Sequence, residues 1–279
     1  MSAPAEGQPA PTSIGRAIAR LVSRMRSHAG RIGSVRKLRV RSENLTATPD
    51  VVAFSLYGTG ERYVRGALMN VEAFGRHFPE FVCRFYLGAD VPDRLPDRLV
   101  ESGAEVIIMD AGGVDATYMF WRFLASEDMR KRIYLVRDID AVPGPRDREL
   151  HDRWIASGRT WQVIRDHYSH NMRIMGGLWS GHTRPRFLTP HLRHLWRFGN
   201  HYNRDQKFLS SVIWPLIRHD ALVQDHLHRF ADETPQIHSL DTERFSCIGE
   251  IATDIKERDR WRAELRRMHY ERIGARTAS

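Results

Sequence analysis

Two acids separated by one residue, Asp138 and Asp140, follow the apolar run Ile133-Tyr134-Leu135-Val136-Arg137. Side chains at i and i+2 of a strand share a face, so the pair is expected to point one way. Close carboxylates repel unless a cation lies between them. Hard oxygen ligands with no cysteine partner favour Mg2+ or Mn2+, which in turn bridge protein carboxylates to a diphosphate. By itself an Asp-x-Asp triplet is a weak signal, since acids end many strands; its place after a strong strand is what raises it. Arg122 sits between Trp121 and Phe123. Its planar fork suits a phosphate or sugar, or an ion pair with Asp138 or another acid. Arg137 alternates to the opposite face and reads as structural.

A second group, Arg165-Asp166-His167 with His170, follows Trp161-Gln162-Val163-Ile164. A carboxylate and imidazoles at a strand end can hold sugar hydroxyls or serve as general base; Asp166 is the first candidate there, with His167 behind it. Asp205 opens a helical stretch, as an N-cap or as a carboxylate available to a ligand. Gly176-Gly177 lets the backbone approach a ligand closely, and Trp179 reads as core.

The elements that must position these residues alternate. Strands are expected at 51–57, 81–87, 104–109, 132–137, 160–164 and 222–227, and helices at 61–77, 95–102, 118–127, 147–157, 187–198 and 205–217. The last helix contains Trp214-Pro215, where a kink or stop is expected. Near-continuous apolar strands alternating with helices predict an α/β, Rossmann-type, mainly parallel sheet covered on both faces. If so, Asp138 and Asp140 enter the crevice at the carboxyl ends of the strands, where open α/β sheets bind ligands. Gly58-Thr59-Gly60 is not a full Gly-x-Gly-x-x-Gly, since Tyr63 stands at the third position; an NAD site is unsupported.

Length and charge bound the rest. The 279 residues allow one large domain or two small ones. No apolar run is long enough to cross a bilayer, and no apolar h-region follows the start. Two cysteines, Cys83 and Cys247, make neither a disulfide framework nor a zinc site, so a cytoplasmic setting is expected. Net charge is +9, but residues 1–47 hold nine of the 43 bases and only two of the 34 acids. The basicity therefore belongs to a tail. Three units follow: a basic tail at 1–47, a main domain at 48–251, which the resemblance given below implies to be catalytic, and a charged helix or tail at 252–279. Within residues 13–41 a basic amphipathic period suits peripheral contact with an anionic membrane at its inner face as well as a solvated tail. Interleaved aromatics are lacking, which argues against nucleic acid.

The ordered set of motifs resembles the GT-A-fold, Asp-x-Asp-containing bacterial glycosyltransferases associated with surface polysaccharide. It runs Phe120-Trp121-Arg122-Phe123-Leu124, Arg137-Asp138-Ile139-Asp140, Arg165-Asp166-His167, Gly176-Gly177-Leu178-Trp179, Asp205-Gln206-Lys207-Phe208-Leu209 and Cys247-Ile248-Gly249-Glu250. The matched order spans about residues 51–250. It departs at Ala141, where a small hydroxyl residue is expected. The resemblance implies a GT-A-like single catalytic domain. It also implies Mn2+ or Mg2+ on Asp138 and Asp140, a UDP- or GDP-sugar donor, and a saccharide, lipid-linked or protein acceptor. It places the nucleoside along Ser55, Tyr57 and Gly58, the sugar near Gly176 and Gly177, and a third metal ligand within Asp225-His226-Leu227-His228, with Asp225, His226 and His228 all open. A sugar-phosphate nucleotidyltransferase is the alternative enzyme, although the triphosphate-binding glycine-rich loop is missing. A non-catalytic binding protein with a basic tail is the alternative outside enzymes.

Overall fold

In the computed structural model, residues 40–110, 115–199, 201–227 and 230–277 are described. Of the expectations above, residues 13–39 of the basic segment and His228 lie outside them.

The apolar runs do form strands. These are β1 (Val40–Asn44), β2 (Asp50–Leu56), β3 (Phe81–Leu87), β4 (Glu105–Met109), β5 (Ile133–Val136), β6 (Trp161–Arg165), β7 (Trp179–His182) and β8 (Ala221–Asp225). One mixed sheet orders them β1-β4-β3-β2-β5-β7-β6-β8. Strands β4, β3, β2 and β5 are mutually parallel, and so are β6 and β8. Strand β7 runs antiparallel between β5 and β6, so both flanking strands point the same way. Strand β1 is antiparallel on the β4 edge.

Alternation along β2 divides its side chains between two cores. Val51 and Ala53 join one apolar cluster, and Val52, Phe54 and Leu56 join the other. Strand β5 does the same, with Tyr134 and Val136 on one face and Ile133 and Leu135 on the other. Both faces are therefore dry, as a parallel sheet requires. The second face is covered by α1 (Glu61–His77), α2 (Leu95–Glu101) and Trp154 of α3 (Pro145–Ser157). The first is covered by 3-10 turns over Ala116–Glu127 and Thr189–Phe198, by α4 (Arg204–Phe208) and by α5 (Trp214–Ile217). Each fully buried Val, Leu or Phe contributes roughly 1.5–3 kcal/mol from area removed from water. At the end of α3, Gly158 takes φ 67° and closes the helix.

Several expectations change. Helix is replaced by 3-10 turns over Ala116–Glu127, with Asp115 accepting from Thr117 N at its start. The stretch expected as one helix over 205–217 is divided by a π-helical turn at Leu209–Ile213, just before Pro215. Proline lacks the N–H that a regular turn needs, and widening the preceding turn is one way to carry it. Strand β1 draws residues 40–44 out of the expected tail and onto the sheet. The C-terminal helix α6 (Ile255–Thr277) is not merely exposed: Leu265 is fully buried and Trp261 stacks on His167 at 4.7 Å. Among the described residues no helix is long and apolar enough to cross a membrane.

Candidate functional site

The chain leaves β4 at one side of the sheet and returns as β5 on the far side of β2. The winding reverses between β2 and β5, and at such a switch point the connections diverge and leave a crevice at the carboxyl ends. Tyr57-Gly58 leaves β2 there, and Asp138-Ile139-Asp140 follows β5. The acids are not on the strand itself. Strand β5 stops at Val136, and a turn follows in which Ala141 N donates to Asp138 O at 3.2 Å. The i, i+2 argument for a shared face thus fails as stated, but the turn still brings the carboxylates together. Asp138 has 47% of its side chain exposed and Asp140 16%. Burial first, and then the charge of Asp138, raise the Asp140 carboxyl above its ordinary value.

Everything around this turn fixes it. Asn70 of α1 donates through Nδ2 to Ile139 O at 2.9 Å. One turn earlier, a Cβ on Gly66 would overlap that same carbonyl oxygen. Ala252 N donates to Asp140 O at 2.8 Å, and Ala141 bridges to Ile251. Arg62 Nη2 lies 3.1 Å from Asp140 Oδ2. Arg122, only 6% exposed, joins two acids, with Nη1 at 2.5 Å from Asp138 Oδ1 and Nη2 at 3.1 Å from Asp205 Oδ2. Its backbone N donates to Ser55 Oγ at 3.0 Å. The ion pair that the sequence leaves open to Arg122 is present, on Asp138 and on Asp205.

The two glycines have a local reason. A Cβ on Gly177 would overlap Asp138 Oδ2 and stand 2.7 Å from Asp138 N. A Cβ on Gly176 would overlap Asp205 Oδ2 and lie 2.9 Å from Arg122 Nη2. Both press against the protein's own acid network, and both are buried. Asp205 is also buried, in the first turn of α4; the N-cap is Asn203, not Asp205, at φ 66°. Burial raises the Asp205 carboxyl, with Arg122 opposing. Tyr57 is half-buried, edge-on to Tyr118 and Trp121 at 5.3 and 6.1 Å. Gly58 beside it takes φ 74°, which a side-chain-bearing residue adopts with strain.

The second acid group is elsewhere in purpose. Asp166 is wholly buried. Both its oxygens are bound by the Arg146 guanidinium, the second at 2.7 Å, and Ile248 N donates to Oδ2 at 2.8 Å. His170 Nδ1 accepts from the backbone N of Asp166 and of His167, at 3.0 and 3.1 Å. Asp166, expected from the sequence to meet a sugar with His167 behind it, holds Arg146 and Ile248 N in the fold. Arginine and backbone donors occupy the acid, and His167 stacks on α6. His226 joins this group as well: its Nδ1 faces His238 O at 3.2 Å, and Asp166 is among the charges it senses. Asp225 pairs with Arg165 at 2.9 Å. Among the described residues no three His, Cys, Asp or Glu side chains converge on one point. Trp121, Phe123 and Trp179 are fully buried, and Arg137 is buried with Nη1 on Val136 O at 2.9 Å.

Three site features were missed from the sequence: Arg62, the Gly66/Asn70 pair and Tyr202. Arg62 follows Gly58-Thr59-Gly60 in the first turn of α1, a position that faces the carboxyl ends of the sheet, and that placement is its signal. Gly66 and Asn70 are four apart, and so on one face of the helix. Tyr202 is 82% exposed, just before Asn203, which takes φ 66°. Partial desolvation and then the charges of Asp138, Asp140 and Asp205 raise its phenol; no sequence pattern marks it.

The donor set fits a hard cation. Two carboxylates with oxygen ligands only, partly open, match Mg2+ or Mn2+, which take one or two protein carboxylates and complete their shell with water and phosphate oxygens.

No protein-family model and no curated protein matches the chain. Solved structures similar to it include a glycosyltransferase involved in glycosylation of the major capsid of PBCV-1, at 13% identity and a TM-score of 0.35, covering 63% of this chain and 81% of that one. Another is the mannosyltransferase PcManGT from Pyrobaculum calidifontis in complex with GDP-Man and Mn2+, at 13% identity and a TM-score of 0.43, covering 82% and 69%. A third is 4-diphosphocytidyl-2C-methyl-D-erythritol synthase from Anaerococcus prevotii, at 9% identity and a TM-score of 0.44, covering 78% and 96%.

Proposed function

We propose that this chain is a glycosyltransferase that uses a divalent cation to move a sugar from a nucleotide-sugar donor to a saccharide, lipid-linked or protein acceptor. The observation that carries the reading is the partly open acid pair Asp138/Asp140, held on every side at the switch point of the sheet. Asp138 and Asp140 are the carboxylates that hold Mn2+ or Mg2+ beside the donor diphosphate. When bound, that ion supplies Lewis-acid stabilisation of the departing nucleoside diphosphate. Arg122 positions Asp138 and, through Asp205, ties α4 to the crevice. Asp205 is thus a support for Arg122 rather than the general base. Tyr57 and the Gly58 turn face the nucleoside side, and Ser55 anchors the Arg122 backbone behind them. Asp166, His167 and His226 take no part in this chemistry. They brace the loops that carry Ile248 and α6.

The test is a donor screen with Mn2+ or Mg2+ that follows nucleoside diphosphate release. Metal-stimulated turnover that Asp140→Ala abolishes supports the reading; undiminished metal-stimulated turnover in that variant refutes it. Peripheral membrane contact through the basic tail belongs to the same proposal. It predicts that liposome flotation is lost when residues 1–47 are removed.

A further inference from the structure

Among the described residues, Arg62 is the cation that pairs with the proposed metal ligand Asp140. Its Nη2 lies 3.1 Å from Asp140 Oδ2 and 2.9 Å from the Tyr63 hydroxyl. Its guanidinium lies 4.6 Å from the Tyr63 ring centroid. The other side of the fork, Nη1, reaches Glu257 Oε2 on α6 at 3.4 Å. The remaining donor, Nε, is buried and makes no hydrogen bond. The side chain is 38% exposed, so it is free to leave the acid without dismantling the core. Arg122 differs: it is 6% exposed and shared between Asp138 and Asp205. Arg65, one turn further along α1, donates to Thr253 O instead and touches neither acid.

We infer that Arg62 is an internal counter-cation that competes with the divalent ion for Asp140, with Glu257 on α6 as its alternative partner. The inference rests on Asp138 and Asp140 being the metal ligands. Two positive charges cannot share one carboxylate face without repulsion, so an incoming ion displaces the guanidinium from Oδ2. One arm of the fork, Nη1, already reaches Glu257, and Arg62 swings toward α6 as it leaves. Ion occupancy and α6 docking are thereby coupled, through the same helix whose Trp261 stacks on His167.

The experiment is Mn2+ titration of the full chain by electron paramagnetic resonance, with no nucleotide present. Arg62→Gln is expected to bind Mn2+ about fivefold more tightly than the unaltered chain, the scale of a part-exposed ion pair. Arg65→Gln is expected to change the affinity less than twofold, which separates competition at Asp140 from a general loss of positive charge. Glu257→Gln is expected to weaken Mn2+ about twofold, since Arg62 loses its alternative partner. This second variant lies on the surface of α6 and keeps the inference testable if Arg62→Gln does not fold. Equal affinities in all chains, or equal tightening in Arg62→Gln and Arg65→Gln, overturn the competition while leaving the metal ligands intact. Absence of Mn2+ binding in every chain, or binding that Asp140→Asn does not reduce, overturns the metal assignment and the competition with it.

Discussion

Asp138 and Asp166 occupy matching places, each just past an apolar strand that runs in the common direction of the sheet. Their fates are opposite. Asp138 keeps 47% of its side chain open and is held through one oxygen by Arg122. Asp166 is wholly buried, with both oxygens on Arg146 and a backbone donor from Ile248. Topology makes the difference. Strand β5 borders the switch point, where neighbouring connections part. Strand β6 lies between β7 and β8, and the segment carrying His238, Ser246 and Ile248 closes over its end. An acid in a crevice is available for chemistry, whereas an acid under a loop is used to hold the loop.

The sharpest way to break this comparison is to remove the buried acid. Asp166→Ala leaves the Arg146 guanidinium and the Ile248 N–H without their acceptor, and breaking such a pair is expected to cost about 3 kcal/mol. Urea denaturation measures it. A loss below about 1 kcal/mol would show that Asp166 is not structural and would reopen it as a site residue. The crevice side is tested next by Gly177→Ala. The new Cβ overlaps Asp138 Oδ2 and stands 2.7 Å from Asp138 N, which as backbone cannot yield. A loss of about 2 kcal/mol is expected from such overpacking, together with weakened Mn2+ binding. Gly75→Ala is the control. It lies within α1 with open space around its Cβ position, and is expected to stabilise by about 0.5–1 kcal/mol through helix propensity.

Much of this arrangement is legible in the sequence, because it depends on local apolar runs. Strand β3 matches its expected span Phe81–Leu87, and α1 matches Glu61–His77. The parallel sheet follows from their alternation. What escapes is set by partners distant in the chain. Strand β7 reads Trp179-Ser180-Gly181-His182, with no strand signature. It forms because Gly181 lets Trp161 and Tyr134 come close from the strands on either side. For the same reason the acid pair at 138/140 is visible as a motif, while its holders are not. Arg62 and Asn70 come from a helix about 70 residues upstream, and Asp205 from one about as far downstream. Asp166 misleads because a strand followed by an acid looks the same whether or not a loop later covers it.

A pH experiment sharpens the contrast further. His238 Nδ1 lies 3.5 Å from Asp166 Oδ1 inside the covered group. Burial, and then the Arg146 charge, push its pKa down to about 4. The folded state therefore binds fewer protons than the unfolded one between the ordinary histidine value, near 6.5, and about 4. The stability is present above that window and is lost as pH falls through it, at up to about 1.4 kcal/mol per pH unit. Replacement by His238→Gln is expected to flatten this part of the profile, measured as urea midpoints at pH 7, 6 and 5. An unchanged slope would remove His238 from the buried group.

The smallest expected effect is on the open side. Asp138→Asn removes a carboxylate that repels Asp140, and relief of that repulsion offsets the lost half of the Arg122 bridge. Arg122 retains Asp205 at 3.1 Å and the Arg137 carbonyl at 3.1 Å, so its buried charge is not stranded. Stability is expected to change by less than about 1 kcal/mol, in either direction, while Mn2+ binding is lost. That combination is what distinguishes an acid kept for a ligand from one kept for the fold. Placed beside Asp166→Ala, it asks whether the two strand ends differ in energy as they differ in exposure. A loss of 3 kcal/mol or more in Asp138→Asn would make the pair at 138/140 a structural clasp like the one at 166, and the crevice would lose its claim to chemistry.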